Sequence, residues 1–279
     1  MHDQATRLRE IVGQSLPTEL CGRPYIITVT SGKGGVGKST LALNVSISAS
    51  SMGRKVVLVD GDANLGGLDV MLGVSPRFRL SHVLRGERDL EEVLISPCAG
   101  LRVLPAASGE PDCPVMNPLR QQQLIEDLVQ MEERFDILMI DTAAGLTPEV
   151  IGYAAIADET LVVSNTEPTA VMDAYALMKV LWGGKPDAEV RLVVSGARYP
   201  READDVAGKL RMAVAHFLKR DLPYAGAIPY DPTVHQAILE QRPLSATFPR
   251  CAASLSIQAL ACGVVHRSSN ESERRMVSL

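Results

Sequence analysis

The sequence predicts an α/β fold, a doubly wound and mostly parallel sheet flanked by helices. Three observations predict it. Short apolar runs recur along the chain and are continuous rather than alternating, as expected of strands buried on both faces. Segments with helical periodicity stand between them, which is the pattern of crossover connections in a parallel sheet. Two of the runs end on aspartates, Asp60 and Asp141, the position where such sheets place their chemistry.

The elements follow in order. Asp3–Val12 reads as a short helix capped by Asp3, with Ala5, Leu8 and Val12 on one narrow stripe. A loop containing Gly13 and Pro17 separates it from the first strand, around Tyr25–Val29. A helix is expected over Ser39–Met52, stopped by Gly53, and a strand over Lys55–Asp60. Short helices are expected at Leu80–Leu84 and Leu90–Ile95, then a strand at Leu101–Leu104. Asn117 and Pro118 form a cap and first-turn proline for an amphipathic helix running to about Arg134, with Leu119, Leu124, Leu128 and Met131 inward. Phe135–Asp141 is a strand, followed by helix Pro148–Ile156, strand Glu159–Ser164 and helix Ala170–Leu181, whose end Trp182 covers. Strand Val190–Val194, helix Arg201–Lys219 and strand Tyr224–Ile228 complete the alternation. Ala252–Val265 is an apolar helix candidate with Leu255, Ala259 and Cys262 on one face. The division expected is an N-terminal extension over 1–20, a nucleotide-binding body over 21–245, and a C-terminal helix and tail over 246–279.

Composition narrows the function classes. The chain has 279 residues and is 46% hydrophobic, enough for a large core, but only 4% aromatic, so that core rests on aliphatic side chains. A net charge of −5 argues against a polyanion-binding surface, and no direct nucleic-acid partner is expected. Cys21, Cys98, Cys113, Cys251 and Cys262 form no CxxC pair, which fits a reducing compartment and leaves an iron–sulfur carrier without its bridging cysteines. The polar, charged start of the chain is no signal peptide, and no apolar run is long enough to span a bilayer, so a cytoplasmic location is expected. None of the histidines sits in a nucleophile motif.

The informative stretch is Tyr25–Thr40. An apolar strand leads into Gly32-Lys33-Gly34-Gly35-Val36-Gly37-Lys38-Ser39-Thr40, which satisfies GxxxxGK[ST] in the required strand–loop–helix context. Glycines let backbone N–H groups close on phosphate oxygens, and the helix starting near Lys38 presents its positive end to the same anion. Lys38 would neutralise the β- and γ-phosphates, and Ser39 would offer its hydroxyl to Mg2+. ATP and Mg2+ are the expected ligands. Asp60 and Asp62 are placed for water activation or metal contact. Asp141, followed by the small residues Thr142–Gly145, is placed to reach Mg2+ through water while the backbone beyond it follows the γ-phosphate. The candidate metal ligands are Ser39, Asp60 and Asp141.

The second lysine carries a resemblance. Gly32–Thr40, with Lys33 ahead of Lys38, resembles the deviant Walker A motif of the MinD/ParA family. That implies a P-loop NTPase fold of the SIMIBI class and an ATP-dependent homodimer with Lys33 reaching the partner's nucleotide. It further implies slow, Mg-dependent hydrolysis of ATP to ADP and phosphate. Asp60-Gly-Asp62 matches the family's first switch, which makes Asp62 the residue that positions water. Lys33, Asp60, Asp62 and Asp141 are thus the catalytic candidates.

Four stretches resemble one branch, the FlhG/FleN flagellar-number ATPases: Asp3–Arg9, Asp62–Gly73, Ile140–Gly145 and Glu167–Lys179. This resemblance implies control of flagellar number and placement. It implies a partner-binding segment made of Asp3, Gln4, Ala5, Leu8 and Arg9, with Gln4 presented to the SRP-type GTPase FlhF. A flagellar master transcription activator and C-ring proteins are the other partners it implies. A positioning ATPase for division or partitioning uses the same core and is the alternative. The chain departs from the pattern in two places. Ser195 stands where the base-reading strand often ends in Asn, so adenine reading is expected around Ser195, Pro229 and Asp231. The tail Ser268–Leu279 lacks the basic amphipathic character of a membrane helix. Peripheral attachment at the inner membrane and core packing of 252–265 therefore both stay open.

Overall fold

A computed structural model of the chain describes residues 23–62, 66–107 and 114–277. The segment Asp3–Arg9, singled out above for partner binding, lies outside the described residues. Eight strands form one sheet in the order β3-β4-β2-β5-β1-β6-β7-β8. They are β1 Tyr25–Ser31, β2 Val56–Gly61, β3 Ile95–Cys98, β4 Leu101–Leu104, β5 Ile137–Ala144, β6 Glu159–Ser164, β7 Val190–Ala197 and β8 Tyr224–Pro229. All neighbouring pairs are parallel except β3–β4. The expected doubly wound α/β architecture is therefore the one observed.

β1 lies at the centre because every one of its seven residues is apolar or small enough to be buried on both faces. Its neighbours are β5 and β6, so the chain order reverses on either side of it. Such a switch point opens a crevice beyond the carboxyl ends of the strands. Register then brings the strand-end acids together: Asp60 of β2 is directly opposite Asp141 of β5, and Asp141 is opposite Val29 of β1.

Helices cover both faces. On one face, α1 (Lys38–Ser51) packs Leu41, Leu43 and Val45 against Ile27, Val29, Leu58 and Met139. Three short helices follow β2: α2 (Leu68–Leu72), α3 (Leu80–Leu84) and α4 (Leu90–Val93). The opposite face is covered by α5 (Pro118–Gln130), α6 (Pro148–Ile156), α7 (Pro168–Gly184) and α8 (Pro200–Ala213). Asn117 caps α5 as expected, its side chain accepting from the Arg120 amide, but Leu119 is 64% exposed rather than inward. α8 ends in a π turn, Val214–Leu218, and is followed by α9 (Pro232–Leu239) and α10 (Leu244–Thr247) after β8. Trp182 closes the end of its helix by donating its indole N–H to the Ala188 carbonyl at 2.9 Å.

The C-terminal helix differs from expectation. α11 runs from Ala252 to Val277 as one helix. The stripe read as its apolar face, Leu255, Ala259 and Cys262, points outward. The buried stripe is Ala253, Ile257, Leu260, Ala261 and Val264, which joins the core around α1. The polar second half is tied down by ion pairs. Arg267 grips buried Glu159 with two bonds of 2.6 and 2.7 Å, and Tyr25 donates its hydroxyl to the same carboxylate at 3.0 Å. Arg275 reaches Asp158 at 2.8 Å, which also takes two bonds from Arg23. Among the described residues no helix is long and apolar enough to cross a membrane.

Candidate nucleotide site

The loop between β1 and α1 is shaped by its glycines. Gly35 and Gly37 hold φ values of 77° and 89°, which a side chain disfavours, and Gly37 forms the N-cap of α1 with no side chain capping it. The first turn of α1 carries no acid, so its amide groups and dipole are left for an external anion. Gly32 is required for a different reason: a Cβ there would lie 2.3 Å from the Asp173 carbonyl carbon of α7. Gly34 has open space around it. Backbone can therefore approach a ligand at Gly34 without displacing protein.

Behind the loop stands a buried charge pair. The Lys38 ammonium lies 3.0 Å from Asp141 Oδ1 and 3.5 Å from Ser39 Oγ. Burial pushes the Asp141 carboxyl above the usual range, with Lys38 and the Ser39 hydroxyl pulling the other way. Asp60, opposite in register and 1% exposed, is pushed up to about 7 by burial and by the neighbouring Asp141. Its two oxygens accept the amides of Asp62 at 3.4 Å and Leu68 at 3.2 Å, so it organises the loop that carries Asp62. Gly66 of that loop packs so tightly that a Cβ would meet Asp60 Oδ2 at 2.6 Å. Sequence reading gave Gly66 no role, because close approach leaves no mark in residue type beyond the glycine itself. Among the described residues no three His, Cys, Asp or Glu side chains converge as a metal cluster. The Ser39 hydroxyl and Asp141 carboxylate are nonetheless hard oxygen donors of the kind Mg2+ takes when phosphates and water complete its shell.

Lys33 points away from this pair. It is bound to the Glu167 carboxylate and donates to Thr169 Oγ1 at 3.0 Å, with Glu167 exposed and held below its usual range by that hydrogen bond. Glu167 and Thr169 open α7 just after the carboxyl end of β6. That placement at a strand end was the available signal for a site role.

A cavity of about 460 Å3 continues from the loop. Its walls include Val36, Thr40, Glu167, Ser195, Pro229 and Asp231. Ser195 Oγ lies 3.1 Å from where a Gly37 Cβ would sit, so it borders the phosphate loop. The Asp231 carboxylate is taken up structurally. It accepts the Thr233 hydroxyl and amide at 2.6 and 3.0 Å and the Ala253 amide at 3.3 Å, fixing the starts of α9 and α11. Thr233 accordingly holds its carboxyl below the usual range. The structure thus brings Lys38, Ser39, Asp60, Asp62 and Asp141 together at the strand ends. Ser195, Pro229 and Asp231 stand along the adjoining cavity, and Lys33 at its rim.

A glycine loop at a helix start, a lysine paired with a strand-end acid, and a cavity at the sheet's switch point define a P-loop nucleotide site. Residues 25–183 match a family described as an AAA domain. The chain is 37% identical over 236 residues to the antiactivator FleN of Pseudomonas aeruginosa, spanning 85% of this chain and 84% of that one. It is 29% identical over 268 residues to the flagellum site-determining protein YlxH of Helicobacter pylori, spanning 94% and 90%. Among solved structures, the septum site-determining protein MinD of Pyrococcus horikoshii in complex with Mg-ADP superimposes with a TM-score of 0.72. The two are 28% identical, and the match covers 86% of this chain and 96% of that one. The chain belongs to the MinD/ParA family of P-loop ATPases, within the branch that holds FleN and YlxH.

Proposed function

We propose that this chain is a switch ATPase that dimerises on ATP and sets the number or placement of flagella. The observation that carries the reading is the separate posting of the two loop lysines. Lys38 sits inside, against Asp141, while Lys33 stands at the rim on an exposed glutamate. A lysine posted outside its own phosphate cradle would serve the nucleotide of a second copy on leaving Glu167.

The residues fit ATP and Mg2+. Amides of the Gly32–Gly37 loop and the first turn of α1 would bind the phosphates, with Lys38 leaving Asp141 to neutralise them. Ser39 and, through water, Asp141 would hold Mg2+, which supplies charge neutralisation between the phosphates. Asp60 would fix the loop, and Asp62 would orient the attacking water. Lys33 would reach the partner's nucleotide, so turnover would be slow and would require the dimer. Ser195 and the backbone at Pro229 would border the nucleoside, with Asp231 fixing the helices around it. The relatives support this output: YlxH is a flagellum site-determining protein, which points to placement, and FleN is an antiactivator, which points to antagonism of an activator. The segment Asp3–Arg9, with Gln4, would serve an SRP-type GTPase, and C-ring proteins are further partners of this reading.

The test is hydrolysis and sedimentation of the full chain with Mg-ATP, for wild type and Asp62→Ala. Loss of hydrolysis with retention of an ATP-dependent dimer is expected. Monomers under every nucleotide condition would overturn the reading. Deletion of residues 1–12 separates the flagellar output from division or partitioning, because only the flagellar reading gives that segment work.

A further inference from the structure

The far end of α8 carries an apolar prominence that the nucleotide site does not use. Met212 and Phe217 are 68% and 69% exposed. Between them the helix passes into the π turn Val214–Leu218, which closes at Lys219 with φ 56°. A π turn bonds residues five apart where an α-helix bonds residues four apart, so it brings Phe217 round toward the side of Met212. The His216 ring meets the Phe217 ring edge-on, centroids 4.6 Å apart, and braces it in its outward position. Beyond the turn, Arg220 lies over the Trp182 ring at 5.5 Å. From Lys209 to Asp221 the sequence carries four Lys or Arg and one acid, in a chain of net charge −5. Lys209, Arg211 and Lys219 are exposed, and among the described residues none of the three has a carboxylate within ion-pair distance. α8 starts beyond the carboxyl end of β7 and runs back to the start of β8. The prominence therefore stands at the opposite pole from the phosphate loop, where a dimer closed over its nucleotides would leave it open.

We propose that this end of α8 is a docking surface for an acidic amphipathic helix of another protein. The inference is independent of the nucleotide reading and of the segment Asp3–Arg9. Phenylalanine, methionine and arginine are the residues that interface centres favour, and a braced aromatic loses little freedom on being covered. A partner helix lying across the turn would cover Met212 and Phe217 with its apolar stripe and bring carboxylates to Lys209, Arg211 and Lys219. Charge decides against a second copy, because a symmetric contact would set these cations against themselves. Area decides against a bilayer: two side chains bury far less apolar surface than an acyl chain, which by itself anchors a protein only marginally.

The test is selection from a library of random displayed peptides on the immobilised full chain, followed by titration of the selected peptides. The expected consensus joins Asp and Glu with large apolar residues at helical spacing. Phe217→Ser, a change at an exposed position that should leave the melting curve unmoved, is expected to weaken these peptides by about tenfold or more. The double variant Lys209→Glu, Arg211→Glu should weaken them as much, and added salt should weaken them on the wild type. Leu255→Ser, which removes an exposed apolar side chain from α11, should leave them unchanged. A basic or uncharged consensus, peptides indifferent to Phe217→Ser, or no enrichment over bare support would overturn the proposal. Flotation of the full chain with phosphatidylglycerol vesicles that is lost in Phe217→Ser would overturn it in favour of a lipid surface.

Discussion

Lys38 and Asp141 form a 3.0 Å ion pair in which neither side chain is more than 10% exposed. The pair stores a cation and a carboxylate at the spot where phosphates and Mg2+ are proposed to part them. Removing one partner strands the other in the interior. Lys38→Met should cost about 3 kcal/mol of unfolding free energy and abolish ATP binding. Adding Asp141→Leu should return much of that stability in chemical denaturation while binding stays lost. Equal stability of single and double variants would refute the pairing.

Asp60 gives a pH dependence with a definite sign. Its folded carboxyl is pushed up to about 7, above the ordinary unfolded value, so the native state holds a proton that the unfolded chain releases. Its contribution to stability is complete at acid pH and is lost as pH rises through about 7. Asp60→Asn should therefore be more stable than wild type at pH 8, by a few kcal/mol at most, with the difference vanishing near pH 4. Thermal melts without nucleotide measure this, and a wild-type advantage at pH 8 would contradict it.

The loop glycines separate stability from binding. Gly32→Ala drives a methyl into the Asp173 backbone and should lose about 3 kcal/mol. Gly34→Ala meets open space and should melt like wild type while weakening nucleotide binding. Measured melting curves and ATP titrations of the two variants would then show opposite patterns.

Lys33→Ala removes an exposed contact and should leave melting and single-chain nucleotide binding unchanged. ATP-dependent dimerisation and hydrolysis should fall to background. Glu167→Gln should keep the dimer, since it frees Lys33 rather than removing it. Sedimentation with Mg-ATP distinguishes them.

Arg267→Ala leaves Glu159, 1% exposed, without its two-pronged partner, and should cost about 3 kcal/mol. Arg274→Ala, 81% exposed, should have no measurable effect on a denaturation curve.

The strands and the phosphate loop were legible because their signals are local. Apolar continuity marked β1, β2, β5 and β6 to within two or three residues, and Gly32–Ser39 declared itself by spacing. Contacts between distant segments were not legible. The hold of Glu167 on Lys33 joins residues 134 apart, and the capping of two helices by Asp231 is invisible until those helices meet. β3 was not foreseen, only its first residue Ile95 falling within the helix expected over Leu90–Ile95, because Ile95–Cys98 is only four residues and pairs antiparallel at an edge. α11 shows the ambiguity of an apolar helix: two stripes satisfy the period, and the packing partner α1 chooses between them.

The Asp158 clasp fixes where the first described residue, Arg23, enters the body. It does so at the opposite end of β1 from the phosphate loop, about 20 Å away along seven residues. In the proposed dimer closed over its nucleotides, the two Arg23 entry points would stand far from the phosphate loops. A partner of the proposed Asp3–Arg9 segment would then be met twice by one assembly, and recruitment would gain by valency.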